Sequence, residues 1–374
     1  MLGRYRVRRK LGEGGMGSVL LADDDNGRPV VLKVPLHGGE EIVARMADEA
    51  RIGMQLQHPH IVRTLDHFVV DGERPVIVIA HIDGMSLREL RDDVGPLPPA
   101  MVARVGEQIS DALSTLHHLK DIDGRPLEIL HRDVTPGNIL VDRQGNACLI
   151  DLGIARSVLS TSNKTAVGIL RGTFRYLSPD LFAGKPYSWM TDLWALGVTL
   201  FEAAVGRKAV EGNEHEVFSG IMHNKLLELR PGEILHPALR YLFDGLLCAD
   251  PEQRRFRDPE EVLHAFRVIR GRLGDGESDA RYVMVTAPSR AGADFTDDHT
   301  AVTRTPPLDD RPTMSMTSPS KPPAPADIGF ADKTLNDRIT RPAVPGLFVD
   351  EVEASPTVKL PMVPQPLELP PLED

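Results

Sequence analysis

The 374-residue sequence predicts an α+β fold in which strands gather near the start of the chain and helices follow. Short apolar runs bounded by glycine and acidic turns lie early, at Ser18–Ala22, Val30–Val34 and Val76–Ile82. From Pro99 onward apolar residues recur at helical spacing, beginning with Val102, Val105, Ile109, Leu113 and Leu116. Beyond about Gly274 that periodicity stops, and residues 275–374 hold 16 of the 31 prolines and four aromatic residues. Such a segment cannot bury enough apolar surface to offset chain entropy, so a disordered C-terminal tail is expected.

With 41% hydrophobic residues the chain can fill one large core or two ordinary ones. Its net charge of −11 is unevenly spread: Asp and Glu outnumber Lys and Arg by 37 to 34 over residues 1–274 and by 17 to 9 over residues 275–374. No basic excess is available to meet phosphates, so nucleic-acid binding is not expected. Cys148 and Cys248 are too few for a disulfide or metal framework and read as small buried hydrophobes in a reducing compartment. No run approaches the roughly 20 apolar residues that span a bilayer, and the basic stretch Arg4 to Lys10 leads into no apolar signal core. A cytoplasmic protein with no membrane span is the expectation.

Leu11 to Val19 reads Leu-Gly-Glu-Gly-Gly-Met-Gly-Ser-Val, which puts Gly12, Gly14 and Gly17 at Gly-x-Gly-x-x-Gly spacing. Glycines so placed let backbone N–H groups approach a triphosphate with no Cβ in the way. The same spacing opens dinucleotide folds, but there a helix must follow. Here Ser18–Ala22 reads as a strand, and the turn from Asp23 to Pro29 returns it as a hairpin into Val30–Val34. Lys33 lies inside that second strand, where a charge is costly unless paired. A candidate partner is Glu49, in the segment Glu41 to Gln57, where Ile42, Met46, Ile52 and Leu56 recur at roughly helical intervals. His58-Pro59 ends this helix. Pro99 to His118 reads as a buried helix, followed by a short strand around Ile129-Leu130.

His131 to Leu140 reads His-Arg-Asp-Val-Thr-Pro-Gly-Asn-Ile-Leu. Asp133 could accept or orient a hydroxyl proton and Asn138 could hold a divalent cation. Alone, these residue types would make an ordinary turn. The company they keep argues otherwise. Ala147–Ile150 reads as a strand running into Asp151-Leu152-Gly153, and Asp151 adds a second hard oxygen donor. A hydroxyl-rich segment, Ser157 to Thr165, comes next, then Gly172 to Asp180, and helices are expected at Thr191–Val198, Leu239–Leu247 and Pro259–Ile269.

The His-Arg-Asp-x₄-Asn loop followed by Asp-Leu-Gly resembles the catalytic loop and metal motif of eukaryotic-like protein kinases. The Leu-Gly-Glu-Gly-Gly-Met-Gly stretch is most similar to bacterial Ser/Thr members. The resemblance spans residues 5–270 and implies the two-lobed protein-kinase fold, with a small β-rich N-lobe over about 5–82, a large helical C-lobe over about 83–270, and the tail at 275–374. It implies transfer of the γ-phosphoryl group of ATP to Ser/Thr hydroxyls of proteins, with autophosphorylation, and Mg²⁺ as the ion with Mn²⁺ as a substitute. Lys33 would grip the phosphates while paired with Glu49, Asp133 would orient the hydroxyl, and Asn138 and Asp151 would hold the metal. Leu11, Gly12, Glu13, Gly14, Gly15, Met16, Gly17 and Val19 would cover the nucleotide. Ala80 and Ile82 would offer backbone hydrogen bonds to the base, with Ile79 behind it.

The same resemblance implies that Asp192 holds the loop backbone and that Arg254 pairs with Asp180. Thr173 would lie near the substrate hydroxyl, and Arg132 would meet a phosphorylated Thr165 or Thr161. Leu152 replaces the usual Phe of the metal motif and Ser178 the usual Ala before Pro179, and three further positions depart from the family pattern. Thr135 stands where Ser/Thr members carry Lys, Gly53 where a larger apolar residue is usual, and Asp180 where Glu is usual. A pseudokinase scaffold is the alternative reading, and a small-molecule kinase of related fold is a third. Thr303, Thr305, Thr313, Thr334, Thr340 and Thr357 are candidate phosphate acceptors in the tail. The runs Ser318–Pro323 and Pro364–Pro371 offer polyproline surface to a tail-binding partner.

Overall fold

The computed structural model describes residues 2–14, 17–36, 39–120, 123–127, 129–151, 173–287 and 295–296. These fall within one unit, residues 1–301 with 367–374, while residues 302–366 lie outside the described residues. The N-terminal part is an antiparallel sheet of β1 (Arg6–Gly14), β2 (Gly17–Asp23), β3 (Pro29–Pro35), β4 (Thr64–Val70) and β5 (Arg74–Ala80), in the order β4-β5-β3-β2-β1. Val30 to Leu32 and Val76 to Val78 are buried, as expected of the central strands β3 and β5. The more peripheral β4 alternates half-buried and exposed residues, the period-2 signature of a strand with one face on the core.

Helix α1 (Glu40–Gln55) packs on β4 and β5. Gly53 is its point of closest approach, since a Cβ there would lie 2.2 Å from Thr64 Oγ1. The missing side chain therefore lets the helix lie against β4.

The larger, helical part begins with a three-stranded sheet of β6 (Gly84–Ser86), β7 (Ile139–Asp142) and β8 (Ala147–Leu149), in the order β6-β7-β8. Around it stand α2 (Leu87–Val94), α3 (Pro99–His117), α4 (Trp189–Val205), α5 (Glu214–Met222), α6 (Pro237–Leu246) and α7 (Pro259–Leu273). Helix α4 is buried at every position from Thr191 to Val205 and forms the axis of the core, where Trp194, Phe201, Phe243 and Phe266 are fully enclosed. Gly106 of α3 admits the Phe266 ring of α7, whose Cε1 would lie 2.1 Å from any Cβ at that position.

Two expectations are corrected. Ile129-Leu130 forms no strand. The N–H groups that follow it, those of His131 and Arg132, donate to the Asp192 carboxylate at 2.8 Å each. The tail also begins later than residue 275. Gly274 and Gly276 turn the chain through the left-handed region, and α8 (Glu277–Thr286) folds back onto α3. Ala280, Val283, Met284 and Ala287 join the main core, and the Asp275 carboxylate accepts from Arg104 at 3.0 Å and Arg270 at 2.5 Å. The turn glycines and the prolines beyond hid this helix, because its apolar face is only three residues wide. In addition, β9 (Phe295–Thr296) pairs parallel with Gly12 and Glu13 of β1 and extends the first sheet. Met284→Ala in the full chain should cost about 2–3 kcal/mol in urea denaturation; unchanged stability would mean that α8 does not dock.

Candidate active site

Lys33 is fixed mid-strand in β3, opposite Val19 of β2 and Ile77 of β5. Its Nζ lies 3.3 Å from Glu49 Oε1 and in direct contact with Asp151 Oδ1. Burial acts to lower the Lys33 pKa, but Asp151 and Glu49 outweigh it and raise it above the ordinary lysine value. The ammonium is thus held charged between a carboxylate of the small lobe and one at the end of β8.

Above this cluster, Glu13 pairs with Ser18 and Gly14 with Gly17 in the β1–β2 hairpin. Gly15 and Met16, at its tip, lie outside the described residues. Gly17 has no space for a side chain, as a Cβ would lie 2.2 Å from the Val34 carbonyl oxygen. Leu11, Leu21 and Val31 form a separate buried apolar cluster with Val19 and Ile79 packed against it, next to the glycine hairpin. Ala80 N–H already donates to Arg63 O at 2.9 Å.

The loop below is held from within the large lobe. Asp192 Oδ2 and Oδ1 accept from the backbone N–H groups of His131 and Arg132, and His117 Nε2 donates to the same carboxylate at 3.0 Å. Arg132 is thereby kept at φ +64°, a left-handed conformation that costs a non-glycine residue roughly 1–2 kcal/mol. Its guanidinium lies over the Tyr187 ring, 5.3 Å from the centroid. His131 is fully buried; its Nδ1 accepts from Asp133 N–H at 3.3 Å and its Nε2 donates to Ile150 O at 3.2 Å. Burial lowers the His131 pKa, which keeps the ring neutral and suited to that accepting and donating pair.

Asn138 Nδ2 donates to Asp133 Oδ2 at 2.7 Å and to its carbonyl at 2.9 Å, while Ile150 N–H donates to Asn138 O at 2.9 Å. The last bond brings the Asn138 backbone beside the residue preceding Asp151. Asn138 and Asp151 offer the hard oxygen donors that Mg²⁺ prefers. Among the described residues no group of three or more His, Cys, Asp or Glu could hold a metal alone. A two-donor site still fits Mg²⁺, which keeps waters and phosphate oxygens as its other ligands. Leu152, Gly153, Thr161 and Thr165 lie outside the described residues.

Asp180, on a single helical turn at Pro179–Phe182, meets Arg254 at 2.6 Å despite being shorter than Glu. Arg254 also lies over the Trp194 ring, 5.3 Å from its centroid. A second buried network escaped the sequence reading. Glu202 of α4 is fully buried and accepts from Arg91 at 2.6 Å, Tyr176 at 3.0 Å and Ala209 N–H at 2.9 Å. Burial raises its pKa against the pull of Arg91. A glutamate in an otherwise apolar helix is the signal that could have revealed it.

Residues 5–264 match the protein kinase domain family. The chain belongs to that family. It is 35% identical over 214 residues to the serine/threonine-protein kinase PrkC of Bacillus subtilis, covering 56% of this chain and 32% of the relative. It is 31% identical to the serine/threonine-protein kinase PknA of Corynebacterium glutamicum, over 77% of this chain and 60% of the relative. With PknD of Mycobacterium tuberculosis the identity is 34%, over 67% of this chain and 38% of the relative. The chain thus spans from about a third to three-fifths of the length of these relatives.

Replacing Asp180 by Asn would leave Arg254, 2% exposed, without its anion, at an expected cost of about 3 kcal/mol at pH 7. Burial acts to raise the Asp180 pKa, but Arg254 and Lys185 hold it below the ordinary carboxyl range. The pair therefore contributes fully above about pH 4 and loses its contribution as pH falls through the lower folded value. Denaturant melts should show the gap between wild type and Asp180→Asn narrowing below that pH. A constant gap would contradict the pairing.

Proposed function

We propose that this chain transfers the γ-phosphoryl group of ATP to Ser/Thr hydroxyls of proteins, its own included. The observation that carries the reading is the convergence of Lys33, Glu49 and Asp151 beside the bonded pair Asp133 and Asn138. Phosphoryl transfer demands little covalent chemistry of the protein and much positioning of charge, which is what this cluster offers. In this reading Lys33 holds the nucleotide phosphates, and Glu49 fixes the lysine. The hairpin at Gly12, Gly14 and Gly17 covers the phosphates, and the Leu11, Val19, Val31 and Ile79 surface takes the base.

Asn138 and Asp151 would hold Mg²⁺, which supplies neutralisation of the phosphate charge that develops during transfer. Asp133 orients the acceptor hydroxyl and takes its proton. The Asn138 amide, donating to the Asp133 carboxylate, keeps that carboxylate in one rotamer. Nothing among the described residues favours a scaffold without transfer. The reading takes a cytoplasmic setting, where ATP is available, protein substrates, and a partner for the Pro-rich C-terminal runs. No described helix is long and apolar enough to cross a membrane.

Incubation of the purified chain with labelled ATP and MgCl₂ tests this. Asp133→Asn and Lys33→Met should each lower incorporation into Ser/Thr by about a hundredfold or more with the melting curve preserved. Wild-type incorporation by Asp133→Asn would sink the mechanism.

A further inference from the structure

Asn138 and Asp151 stand across the open end of one hairpin. Asn138 immediately precedes β7 and Asp151 follows β8 by two residues, and between them the ladder pairs Ile139 with Leu149, Leu140 with Cys148 and Val141 with Ala147. Ile150 N–H adds a rung by donating to Asn138 O at 2.9 Å. The spacing of the two side chains therefore depends on how this short hairpin lies, and a hairpin of that size is marginal unless its surroundings hold it. Its sides are held by β6 along β7 and by the backbone of His60 and Val62 at Leu149.

The closed end is held from α3. Arg104 and Gln108 are one turn apart on that helix and share a face. Arg104 Nε donates to Gly145 O at 3.1 Å and its Nη2 to Asn146 Oδ1 at 3.0 Å, while Gln108 Oε1 accepts from Ala147 N–H at 2.8 Å. The turn that they grip is ordered from within, since the Asp142 carboxylate accepts from Gln144 N–H at 2.9 Å and Asn146 N–H at 2.8 Å. A stiff turn passes the grip on to its strands, where a slack one would absorb it.

The remaining nitrogen of Arg104 reaches beyond the kinase match. Its Nη1 donates to Asp275 Oδ1 at 3.0 Å, and with the Arg104 side chain only 11% exposed the guanidinium depends on a carboxylate partner. Asp275 leads into α8, whose Ala280 lies against the same turn: a Cβ on Gly145 would come within 2.6 Å of the Ala280 Cβ. Both residues lie past 264, where the match to the family ends. One guanidinium thus joins α3, the hairpin turn and the start of α8.

We propose that Arg104 is a positioning residue for Asn138 and Asp151, and that Asp275 and α8 brace it, so that a segment outside the kinase match sets the spacing of the metal-binding pair. The proposal rests on the kinase reading, which gives those two residues the metal.

Arg104→Gln, Arg104→Lys and Asp275→Asn in the full chain test this, each at a temperature where circular dichroism shows it folded. Mn²⁺ binding is followed by electron paramagnetic resonance beside a non-hydrolysable ATP analogue, and amide exchange over residues 139–150 is followed without metal. Arg104→Gln should raise the Mn²⁺ Kd by about threefold, less than the roughly tenfold or more that follows loss of a metal ligand's immediate partner, and should speed exchange in the hairpin. Asp275→Asn should move both in the same direction by less. Arg104→Lys keeps the charge beside Asp275 but not the fork, and should fall between wild type and Arg104→Gln. Extra Mg²⁺ should restore transfer by Arg104→Gln with kcat near that of wild type. Wild-type Mn²⁺ affinity in Arg104→Gln, or in Arg104→Lys if the first does not fold, would overturn the inference whatever the melting temperature, and would leave the kinase reading standing. Wild type that binds no Mn²⁺ beside the analogue and transfers no phosphoryl group would overturn both.

Discussion

A single buried carboxylate sets the geometry on which the candidate site depends. Asp192 is 1% exposed and sits on the most apolar of the described helices, where an unpaired charge would be costly. It is satisfied by the N–H groups of His131 and Arg132 and by His117. Their capture accompanies the positive φ of Arg132 and anchors the start of the short loop that carries Asp133 and Asn138. Thr199, two turns further along the same helix, donates to Val134 O at 3.2 Å and holds the loop a second time.

The other half of the site depends on close approach of backbones. Gly17 meets the Val34 carbonyl, Gly53 meets Thr64, and Gly137 meets Arg88. At Gly17 and Gly53 a single Cβ would force the two segments apart, whereas at Gly137 it would displace the end of the Arg88 side chain. Charge then joins the halves: Lys33 of the sheet touches Asp151 from the end of β8, and Glu49 balances it from α1. Asp151 carries its own positive φ of 68°, so both aspartate-bearing turns of the cleft store strain that surrounding hydrogen bonds must outweigh.

Much of this was legible in the sequence, because the strongest signals are local and rule-breaking. A lysine inside an apolar strand demands a carboxylate, and Glu49 in a helix-periodic segment supplies one. The hairpin, the long helices α3, α4 and α7, and the Asp180–Arg254 pair follow from runs and motifs of ordinary length. What stayed hidden depends on tertiary contact. Helix α8 has too narrow an apolar face to stand out beside prolines, and Glu202 and Arg91 are far apart in sequence. The contact of Gly137 with Arg88 reads as a turn glycine and a surface arginine until the two are seen together.

The role of Asp192 can be measured directly through single-turnover phosphoryl transfer by Asp192→Asn at a temperature where circular dichroism shows it folded. The amide keeps the helix packed but weakens its two charge-assisted hydrogen bonds to the loop backbone. If the buried carboxylate positions Asp133 and Asn138, the rate should fall at least about tenfold, a barrier increase of about 1.4 kcal/mol. A folded variant transferring at the wild-type rate would contradict the account.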